Sequence, residues 1–305
     1  MFSHTTLSRR IAAAAAAAVT ALGLTACGES AANNNAATDP ETIVFGVIPY
    51  ENANSMAQLW QPVIDVLERE TGKTIDFQVV TDYAALIEGQ RAKTVHLAMY
   101  GPLSYVLAKD SGVGIVPVAS EAYAQGEPSY KSYLVTKVGS GIERLEDLRG
   151  KQICFVDPNS TSGYLYPLGA LAGKGLKEKV DYSHKYAGGH DASMLAVRDG
   201  DCDAGAVRDT LFDKVLPEQG EINPADYEKI WTSEPIVNSP MAMIDTLSPD
   251  LQEKIVDAIT TEANATALGV DAVAGFWGFM PTTDEFYNPI REICRTTQAE
   301  ICKTG

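Results

Sequence analysis

Three consecutive hydroxyl side chains, Ser160, Thr161 and Ser162, carry the strongest chemical signal in this sequence. They follow a predicted strand and open a predicted helix, whose first backbone N–H groups have no partner within the helix. These N–H groups, the hydroxyls and the positive end of the helix dipole together suit a bound oxyanion. A plain helix N-cap is the alternative, but a cap needs only one hydroxyl.

His190 and Asp209 lie at two further junctions between predicted elements. His190 follows two glycines at the start of a predicted helix, where its ring can donate to an anion or simply cap and pack the helix. Asp209 follows the strand predicted at 204–207, and ligands of open α/β sheets bind at such carboxyl ends of strands. Both residues are candidates for ligand binding, with an exposed structural carboxylate as the alternative for Asp209.

Tyr83 and Tyr100 occupy similar positions in the first half of the chain. Each follows a predicted strand, at 75–80 and 95–99, so each hydroxyl can reach the carboxyl edge of a sheet. Packing in the core is the alternative for both. With the hydroxyl segment, these tyrosines predict a site assembled from both halves of the chain.

The elements that must position these residues alternate along the chain as short apolar strands and amphipathic helices. The strand predicted at 43–48 is apolar without alternation, which is typical of a buried parallel sheet. An apolar stripe at helical spacing predicts the helix that follows, and Gly72 ends it. This order predicts an α/β fold with a parallel sheet. The stripe comprises Met56, Leu59, Trp60, Val63, Ile64 and Leu67.

The same pattern repeats after a break, with strands predicted at 152–156 and 204–207. An extended stretch at 236–243 then returns the chain, so we expect two lobes joined by more than one crossing. The predicted lobes are 42–130 together with 237–305, and 131–236.

The length and net charge of the chain exclude some classes of function. A chain of 305 residues is long enough for about two domains. It contains 24 Lys and Arg against 40 Asp and Glu, a formal net charge of -16, whereas a nucleic-acid binder needs a basic face. Because the chain as a whole repels anions, attraction to an oxyanion has to be local. We expect it to come from helix N-termini and neutral donors, without a Lys or Arg at the ligand.

Residues 1–26 have the pattern of an export signal. Two arginines precede an apolar run at 11–22, and Cys27 follows the sequence Leu-Thr-Ala at its end. This ending resembles the lipobox of bacterial lipoproteins, in which the signal is cut before the cysteine and the sulfur is lipidated. An ordinary signal peptide is the alternative. The small, polar segment at 27–41 is expected to be a flexible tether.

Four cysteines follow Cys27, and an even number in an exported chain predicts disulfides. Cys294 and Cys302 are close in sequence, so a bond between them would close a short local loop and leave Cys154 to pair with Cys202. The other two ways of pairing the four cysteines stay open. Metal binding is the alternative use of these cysteines. It lacks a CxxC motif or a nearby pair of histidines, so no metal site is predicted.

Six segments between residues 42 and 239 resemble the phosphonate- and phosphite-binding substrate-binding proteins of ABC transporters. The resemblance implies a type II periplasmic-binding-protein fold, in which two α/β lobes close on a ligand, and it implies no cofactor. The segments are GVIPY, TDYAALIEGQR, AMYGPLSY, DPNSTSGY, GGHDAS and AVRDT. The residues that match the family's ligand set are Tyr83, Tyr100, Ser160, Thr161, Ser162 and His190.

The resemblance also implies partners and a location. Such proteins deliver their ligand to a membrane permease that works with an ATPase subunit. A lipidated Cys27 would hold this chain, as a monomer, on the outer face of the cytoplasmic membrane.

The ligand expected from the resemblance is a small phosphorus oxyanion without an amine. Family members that bind an aminoalkylphosphonate carry two acids for the amine, and the matching positions here are Thr210 and the segment 238–240. Asp209 resembles the acid of the branch that binds phosphite and methylphosphonate, where it can accept a hydrogen bond from a P–OH group. Phosphite or methylphosphonate is therefore expected, with phosphate or another oxyanion as the alternative.

A hydrolase that uses Ser162, His190 and Asp209 is the enzymatic alternative. No GxSxG elbow surrounds the serine, and a triad needs one activated nucleophile rather than three neighbouring hydroxyls. A metal site at His184 and His190 is weaker still, since that spacing does not share a helix face. We therefore predict a binding protein and not an enzyme.

Overall fold

The computed structural model describes residues 37–123, 129–264 and 278–303. The predicted signal at 1–26 and the predicted lipid site at Cys27 lie outside the described residues, as does most of the predicted tether. The described strands form three sheets, and no described helix is long and apolar enough to cross a bilayer.

The first sheet has six strands, drawn from both ends of the described chain. They are β1 Thr42–Val47, β2 Thr74–Val79, β3 Leu97–Met99, β4 Ile115–Ala122, β12 Pro240–Ile244 and β13 Gly278–Pro281, in the spatial order β13-β4-β12-β3-β1-β2. The strands β2, β1 and β3 are parallel, as the sequence predicts. The late strand β12 runs antiparallel to both β3 and β4, so the sheet as a whole is mixed. The chain re-enters this sheet after building the second one, so β12 arrives from the opposite end.

Helices cover the first sheet and bury the apolar faces that the sequence marks. The first helix, α1 (Ala53–Thr71), begins at the Asn52 cap and ends at Gly72, whose φ of 69° is the left-handed conformation that favours glycine. All six residues of the predicted stripe face inward, and only Leu59 is half-buried rather than buried. The remaining helices are α2 Tyr83–Arg91, α3 Pro102–Asp110, α7 Pro249–Asp257 and α8 Asn288–Thr297.

The second sheet has five strands and is built from the middle of the chain. In the spatial order β10-β6-β9-β7-β8 they are β10 Tyr227–Thr232, β6 Ser132–Lys137, β9 Ala204–Arg208, β7 Gln152–Phe155 and β8 Ser183–Tyr186. Its helices are α4 Tyr166–Gly173, α5 His190–Asp199 and the short α6 Leu216–Glu218. Every residue of β9 is buried, because helices and neighbouring strands cover both of its faces.

The two passages of the chain between the large sheets pair with each other. The strands β5 (Ser129–Tyr130) and β11 (Ile236–Val237) form a two-stranded antiparallel ribbon, with Ile236 opposite Tyr130. A short ribbon of this kind is a natural place for a hinge, because a small change in its backbone angles moves one sheet against the other.

Both predicted disulfides are confirmed. Cys154 bonds to Cys202 and so links β7 to the segment between α5 and β9. Cys294 bonds to Cys302 and closes the end of α8 onto the last described residues.

Candidate functional site

A small cavity is lined by residues from both large sheets and from the loops that follow their strands. The space that the centre of a water molecule can reach in this cavity is about 20 Å³. That is enough for a group of a few non-hydrogen atoms and too little for a nucleotide or a peptide. The lining residues are Ile48, Tyr50, Tyr83, Met99, Tyr100, Gly101, Glu121, Tyr130, Ser160, Thr161, Ser162, His190, Arg208 and Ser239.

The three consecutive hydroxyls lie at the start of the helix that leads into α4. Ser160 caps this helix, since its Oγ accepts a 3.1 Å hydrogen bond from the backbone N–H of Gly163. The first turn, Thr161–Leu165, is a wide π-helical turn, a form that is frequent at functional sites. A Cβ at position 163 would overlap the Val156 side chain, so glycine is required for the turn to approach β7 this closely.

Thr161 connects the two halves of the site. Its Oγ1 accepts a 2.8 Å hydrogen bond from the backbone N–H of Leu103, in the first turn of α3. The side chains of Thr161 and Ser162 act on the hydroxyl of Tyr130, in the ribbon, and oppose the rise that burial causes in its pKa. Ser160 acts in the same way on Tyr83, from the first-sheet half. Groups from both sides of the cavity therefore surround the hydroxyl segment.

His190 presents one ring nitrogen to the cavity as a neutral donor. The backbone N–H of Arg208 donates to Nδ1 over 3.2 Å, which places the proton of the neutral ring on Nε2. Nε2 lies 3.5 Å from the Ser162 Oγ. Burial, together with the nearby positive charge of Arg208, lowers the pKa of His190 to about 3. The ring is thus a neutral hydrogen-bond donor at physiological pH.

Arg208 brings a positive charge into the cavity lining, although it lies on a fully buried strand. Its Nη2 donates to the Tyr123 Oη over 3.0 Å and to the Asn238 Oδ1 over 3.3 Å. The guanidinium carbon lies 4.7 Å from the centre of the Tyr130 ring, a cation–π distance. The expectation that no Lys or Arg would be needed at the ligand did not anticipate this cation, which the structure places in the cavity lining.

Glu121, at the end of β4, is the acidic partner of that cation. Its Oε2 lies 3.7 Å from the Arg208 Nη2 and accepts a 3.4 Å hydrogen bond from the Tyr123 Oη. Burial raises the pKa of Glu121, and the charge of Arg208 opposes this shift. The pair gives the cavity one charge of each sign.

Two buried polar atoms of the lining have no hydrogen-bond partner among the described residues: the Tyr100 hydroxyl and the Arg208 Nε. A buried donor without a partner costs about 1–3 kcal/mol, so such atoms mark the place of a ligand or an ordered water. The Tyr50 hydroxyl is also a ready donor, because it already accepts a 3.1 Å hydrogen bond from the Trp60 indole.

The structure does not bring Asp209 into the cavity. Its Oδ2 accepts a 2.9 Å hydrogen bond from the backbone N–H of Lys131, and its Oδ1 accepts one of 2.8 Å from that of Thr210. Both oxygens therefore fix the backbone beside the ribbon, and the residue is not among those that line the cavity. The other six predicted ligand residues do line it.

The donor set suits a small oxyanion better than a metal ion. Hydroxyls, an imidazole N–H and a guanidinium donate hydrogen bonds to negative oxygen, whereas a metal needs electron-pair donors. The described residues contain no cluster of three or more His, Cys, Asp or Glu side chains that could hold a metal ion.

The family with the description "ABC transporter, phosphonate, periplasmic substrate-binding protein" matches this sequence over residues 45–287. The chain belongs to this family. Members of the phosphonate-binding family are extracytoplasmic substrate-binding proteins of ABC importers, so the predicted role in import is confirmed.

Relatives of known name support the same assignment. The phosphate-import protein PhnD of Mycolicibacterium smegmatis is 35% identical, over 96% of this chain and 98% of its own. The phosphonates-binding periplasmic protein of Escherichia coli is 30% identical, over 73% of this chain and 67% of its own. A binding protein component of an ABC phosphonate transporter from Pseudomonas aeruginosa has a crystal structure that is 27% identical. It gives a TM-score of 0.78, with 85% of this chain and 87% of that chain covered. The predicted two-lobed fold is confirmed by this likeness.

Within this member of the phosphonate-binding family, sequence reasoning missed Arg208 and Glu121. Arg208 stands directly before Asp209 and is the last residue of its strand. A polar residue at the end of an apolar strand was the signal that could have marked it as part of a site. Glu121 ends a strand that the sequence analysis did not identify, so no signal directed attention to it. Tyr50 and Tyr130 were also missed as lining residues. Tyr50 follows an apolar run, where a core position is equally compatible with the sequence, and Tyr130 follows the polar segment 125–129, which carries no signal of a site.

The buried neutral His190 predicts a specific dependence of stability on pH. Its pKa is lowered in the folded state, so below pH ~6.5 the unfolded chain takes up a proton that the native ring does not. This contribution to the free energy of unfolding is present above that pH and is lost as the pH falls towards the folded pKa. Between pH 6.5 and 5, wild type should lose roughly 1.5–2 kcal/mol more than His190→Asn.

Urea unfolding at both pH values tests this expectation. Buried carboxylates with raised pKa values, which contribute with the opposite sign, are present in both proteins and cancel in the difference. Equal losses in the two proteins would show that the native imidazole is protonated. These carboxylates belong to Glu51, Glu121, Asp157, Asp191 and Asp209.

Proposed function

We propose that this protein captures a small tetrahedral phosphorus oxyanion in the cavity and delivers it to an ABC importer. The candidates are phosphite, methylphosphonate and phosphate. The observation that carries the proposal is the lining itself, which combines neutral donors with one buried guanidinium in a space for a few atoms. The M. smegmatis relative is a phosphate-import protein, which supports keeping phosphate beside the other two candidates.

The absence of an amine in the ligand follows from the charges at the cavity. An aminoalkylphosphonate needs an acceptor that is free for its ammonium group, and Glu121 already pairs with Arg208. At the two positions that resemble the family's amine pocket, Thr210 and Asn238 are uncharged. We infer that aminoethylphosphonate binds much more weakly than methylphosphonate.

A hydrolytic function is disfavoured by the geometry of His190. In a Ser-His-Asp triad a carboxylate accepts from Nδ1–H, which leaves Nε2 as the base. Here Nδ1 itself accepts from the backbone N–H of Arg208, so Nε2 carries the proton and cannot take one from Ser162. The Asp209 carboxylate is occupied by backbone N–H groups instead. We therefore infer a binding protein without enzymatic activity.

We propose that the two lobes are 42–130 with 237–305, and 131–236, and that they close on the ligand about the β5–β11 ribbon. Donors from both lobes meet in the cavity, which supports closure as the means of removing the anion from water. Two backbone contacts also join the lobes: the His190 N–H donates to the Tyr50 carbonyl over 3.0 Å, and Leu103 donates to Thr161.

The cellular arrangement belongs to the same proposal. An export signal at 1–26, a lipid on Cys27 and a tether at 27–41 would hold a monomer at the outer face of the cytoplasmic membrane. There it would hand its ligand to a permease and ATPase. Mass spectrometry of the exported protein tests the anchor, because an N-terminus other than a diacylglyceryl-modified Cys27 would contradict it.

Calorimetric titration with a panel of anions tests the ligand. We expect phosphite, methylphosphonate or phosphate to bind with one site per chain. Aminoethylphosphonate and sulfate should bind at least about 100-fold more weakly. X-ray scattering should show compaction with the tightest ligand and none with sulfate. If no phosphorus oxyanion releases heat or raises the melting temperature, the proposal is wrong.

Replacement of Thr161 by valine should weaken all oxyanions alike. Valine keeps the shape but removes both the hydroxyl that lines the cavity and the acceptor for the Leu103 N–H, which is then buried without a partner on closure. That penalty is about 1–3 kcal/mol, or roughly 10- to 100-fold in affinity.

The matched control is Thr232→Val, at an exposed position at the end of β10. It should leave every affinity within about twofold, because it removes a hydroxyl from solvent. An unchanged affinity in Thr161→Val would mean that the lobes do not rely on this bond.

A further inference from the structure

Two acidic side chains meet outside the cavity, where the two proposed lobes approach each other. Glu51 follows Tyr50 in the first lobe, and Asp191 follows His190 in the second. The backbone joins these two pairs of residues, because the His190 N–H donates to the Tyr50 carbonyl over 3.0 Å. The carboxyl groups of Glu51 and Asp191 are therefore held close enough for the charge of one to act on the other. Neither residue is among those that line the cavity.

Each of the two carboxyl groups interacts with the opposite lobe. The Gln219 Nε2 donates a 2.8 Å hydrogen bond to the Glu51 Oε1. The backbone N–H of Asn52, from the first lobe, acts on Asp191 and opposes the rise that burial causes in its pKa. Gly189 leaves room for this arrangement, since a Cβ there would overlap the Asp191 carboxyl group. Opening of the lobes would therefore remove both interactions and return both carboxyl groups to water.

The surroundings of Glu51 favour its protonated form. Burial raises its pKa, and the residue is only 8% exposed. The charge of Asp191 raises this pKa further, whereas the hydrogen bond from Gln219 and the charge of Arg208 lower it. Arg208 itself pairs with Glu121 inside the cavity. Two like charges removed from water are unfavourable, and one proton relieves the repulsion between them.

Asp191 has similar surroundings in the second lobe. Burial raises its pKa, and the backbone N–H groups of Ala192, of Asp191 itself and of Asn52 oppose this rise. The charge of Glu221 raises the pKa of Asp191 as well. Glu221 in turn pairs with Arg198 over 2.6 Å, so that arginine is engaged with another acid. Closure thus places Asp191, like Glu51, where its neutral form is favoured.

We propose that closure of the two lobes takes up a proton from water onto the Glu51–Asp191 pair, so that low pH favours the closed form and rising pH favours release of the ligand. Gln219 occupies the Glu51 Oε1, so the proton binds to one of the other carboxylate oxygens and returns to water when the lobes open. The inference rests on the proposed function, since it assumes that the lobes close on an anion.

The direction of this coupling follows from the two states of the pair. In the open form both carboxyl groups face water and titrate near their ordinary pKa of about 4. In the closed form both pKa values are raised. Closure therefore takes up a proton at pH values between the ordinary and the raised pKa, and affinity rises as the pH falls through that range.

The pH dependence of binding in wild type and in Glu51→Gln tests the coupling, with the tightest of phosphite, methylphosphonate and phosphate as the ligand. The amide keeps an oxygen that can accept from Gln219, but it neither repels Asp191 nor takes up a proton. Between pH 7 and pH 5, wild type should gain about 3- to 10-fold in affinity relative to Glu51→Gln. Titration of the anion, of His190 and of Glu121 is common to both proteins and cancels in this ratio.

A second variant and a control separate the coupling from a loss of packing. Asp191→Asn should reduce the pH dependence in the same direction, and the double variant should differ little from Glu51→Gln, because one substitution already ends the repulsion. The matched control, Glu253→Gln on the exposed face of α7, should keep the wild-type profile. A loss of packing weakens binding equally at every pH. If Glu51→Gln and Asp191→Asn both keep the wild-type profile, the inference is overturned.

The number of protons taken up on binding gives an independent measurement. Calorimetry at pH 5.5 in buffers of different ionisation enthalpy counts these protons. Wild type should take up more protons per site than the double variant Glu51→Gln/Asp191→Asn, by at most about one. An equal count in the two proteins would show that closure does not protonate this pair.

These outcomes are distinct from a failure of the proposed function. If none of the three anions binds at any pH, the proposed function is wrong. If one of them binds, but with the same pH profile and proton count in wild type and in the variants, the function stands and only the coupling is wrong.

Discussion

Replacement of Arg208 by methionine should abolish tight binding of every oxyanion and destabilise the fold. The guanidinium lies in the cavity lining, so in the proposed function its loss removes charge-assisted hydrogen bonds to the ligand. Hydrogen bonds of that kind contribute about 1.5–3 kcal/mol each, so we expect affinity to fall about 100-fold or more.

The loss of stability has a separate cause. Without Arg208, Glu121 stays buried beside Tyr123 with no opposite charge. Breaking one member of a buried ion pair costs about 3–5 kcal/mol. The double variant Arg208→Met/Glu121→Gln should therefore recover most of the stability, because the unpaired charge is gone, but none of the affinity.

Urea unfolding and calorimetric titration of the single and double variants separate these two effects. The control is Arg144→Met, whose side chain is 73% exposed and pairs with Asp147 across one turn. Such surface pairs contribute about 0–1 kcal/mol. An Arg208→Met protein that binds phosphite, methylphosphonate or phosphate within tenfold of wild type would show that the guanidinium does not meet the anion.

Removal of the two disulfides should have unequal effects on stability. The Cys154–Cys202 bond joins residues 48 apart, and the Cys294–Cys302 bond joins residues 8 apart. In the chain-entropy account, a cross-link restricts the unfolded chain more when its loop is longer, by about 4 and about 2.5 kcal/mol for these separations. Alanine replacement of the first pair should therefore cost more than replacement of the second.

The measurement is urea unfolding of each double-alanine variant, with reduced wild type as the reference for the loss of both bonds. None of the lining residues that the structure describes is a cysteine, so the affinity for the ligand should change less than about threefold in either variant. If loss of the local Cys294–Cys302 loop cost more than loss of the long one, its contribution would have to come from the packing of α8 rather than from the unfolded chain.

Elements with local signals were predictable from the sequence. The helix α2 is one of them, because Asp82 caps its first turn through the Ala85 N–H and the residues before it form an extended strand. The place of the hydroxyl segment in a site was equally predictable from the sequence, since three consecutive polar side chains between a strand and a helix have few purely structural roles. Six of the seven predicted ligand residues accordingly line the cavity.

What the sequence hides depends on tertiary context. Every residue of β9 is buried, so the alternation that would mark Arg208 as pointing into a site is absent. For the same reason the sequence analysis considered Asp209, which is not among the residues that line the cavity, and missed its neighbour Arg208, which is. Glu121 becomes part of the cavity lining because β4 pairs with β12 in the first sheet and Arg208 contacts it from the second sheet. No local sequence pattern predicts this long-range contact.

A bond that joins the two proposed lobes away from the cavity gives such a protein a second way to change during evolution. Gln219 donates a 2.8 Å hydrogen bond to the Glu51 Oε1, and neither residue is among those that line the cavity. In the proposed closure this contact favours the closed arrangement whatever anion is inside, and apparent affinity scales with the fraction of molecules that can adopt it. Substitutions at such a contact outside the cavity can therefore change the lowest ligand concentration at which the protein binds. The cavity lining still determines which ligand is bound.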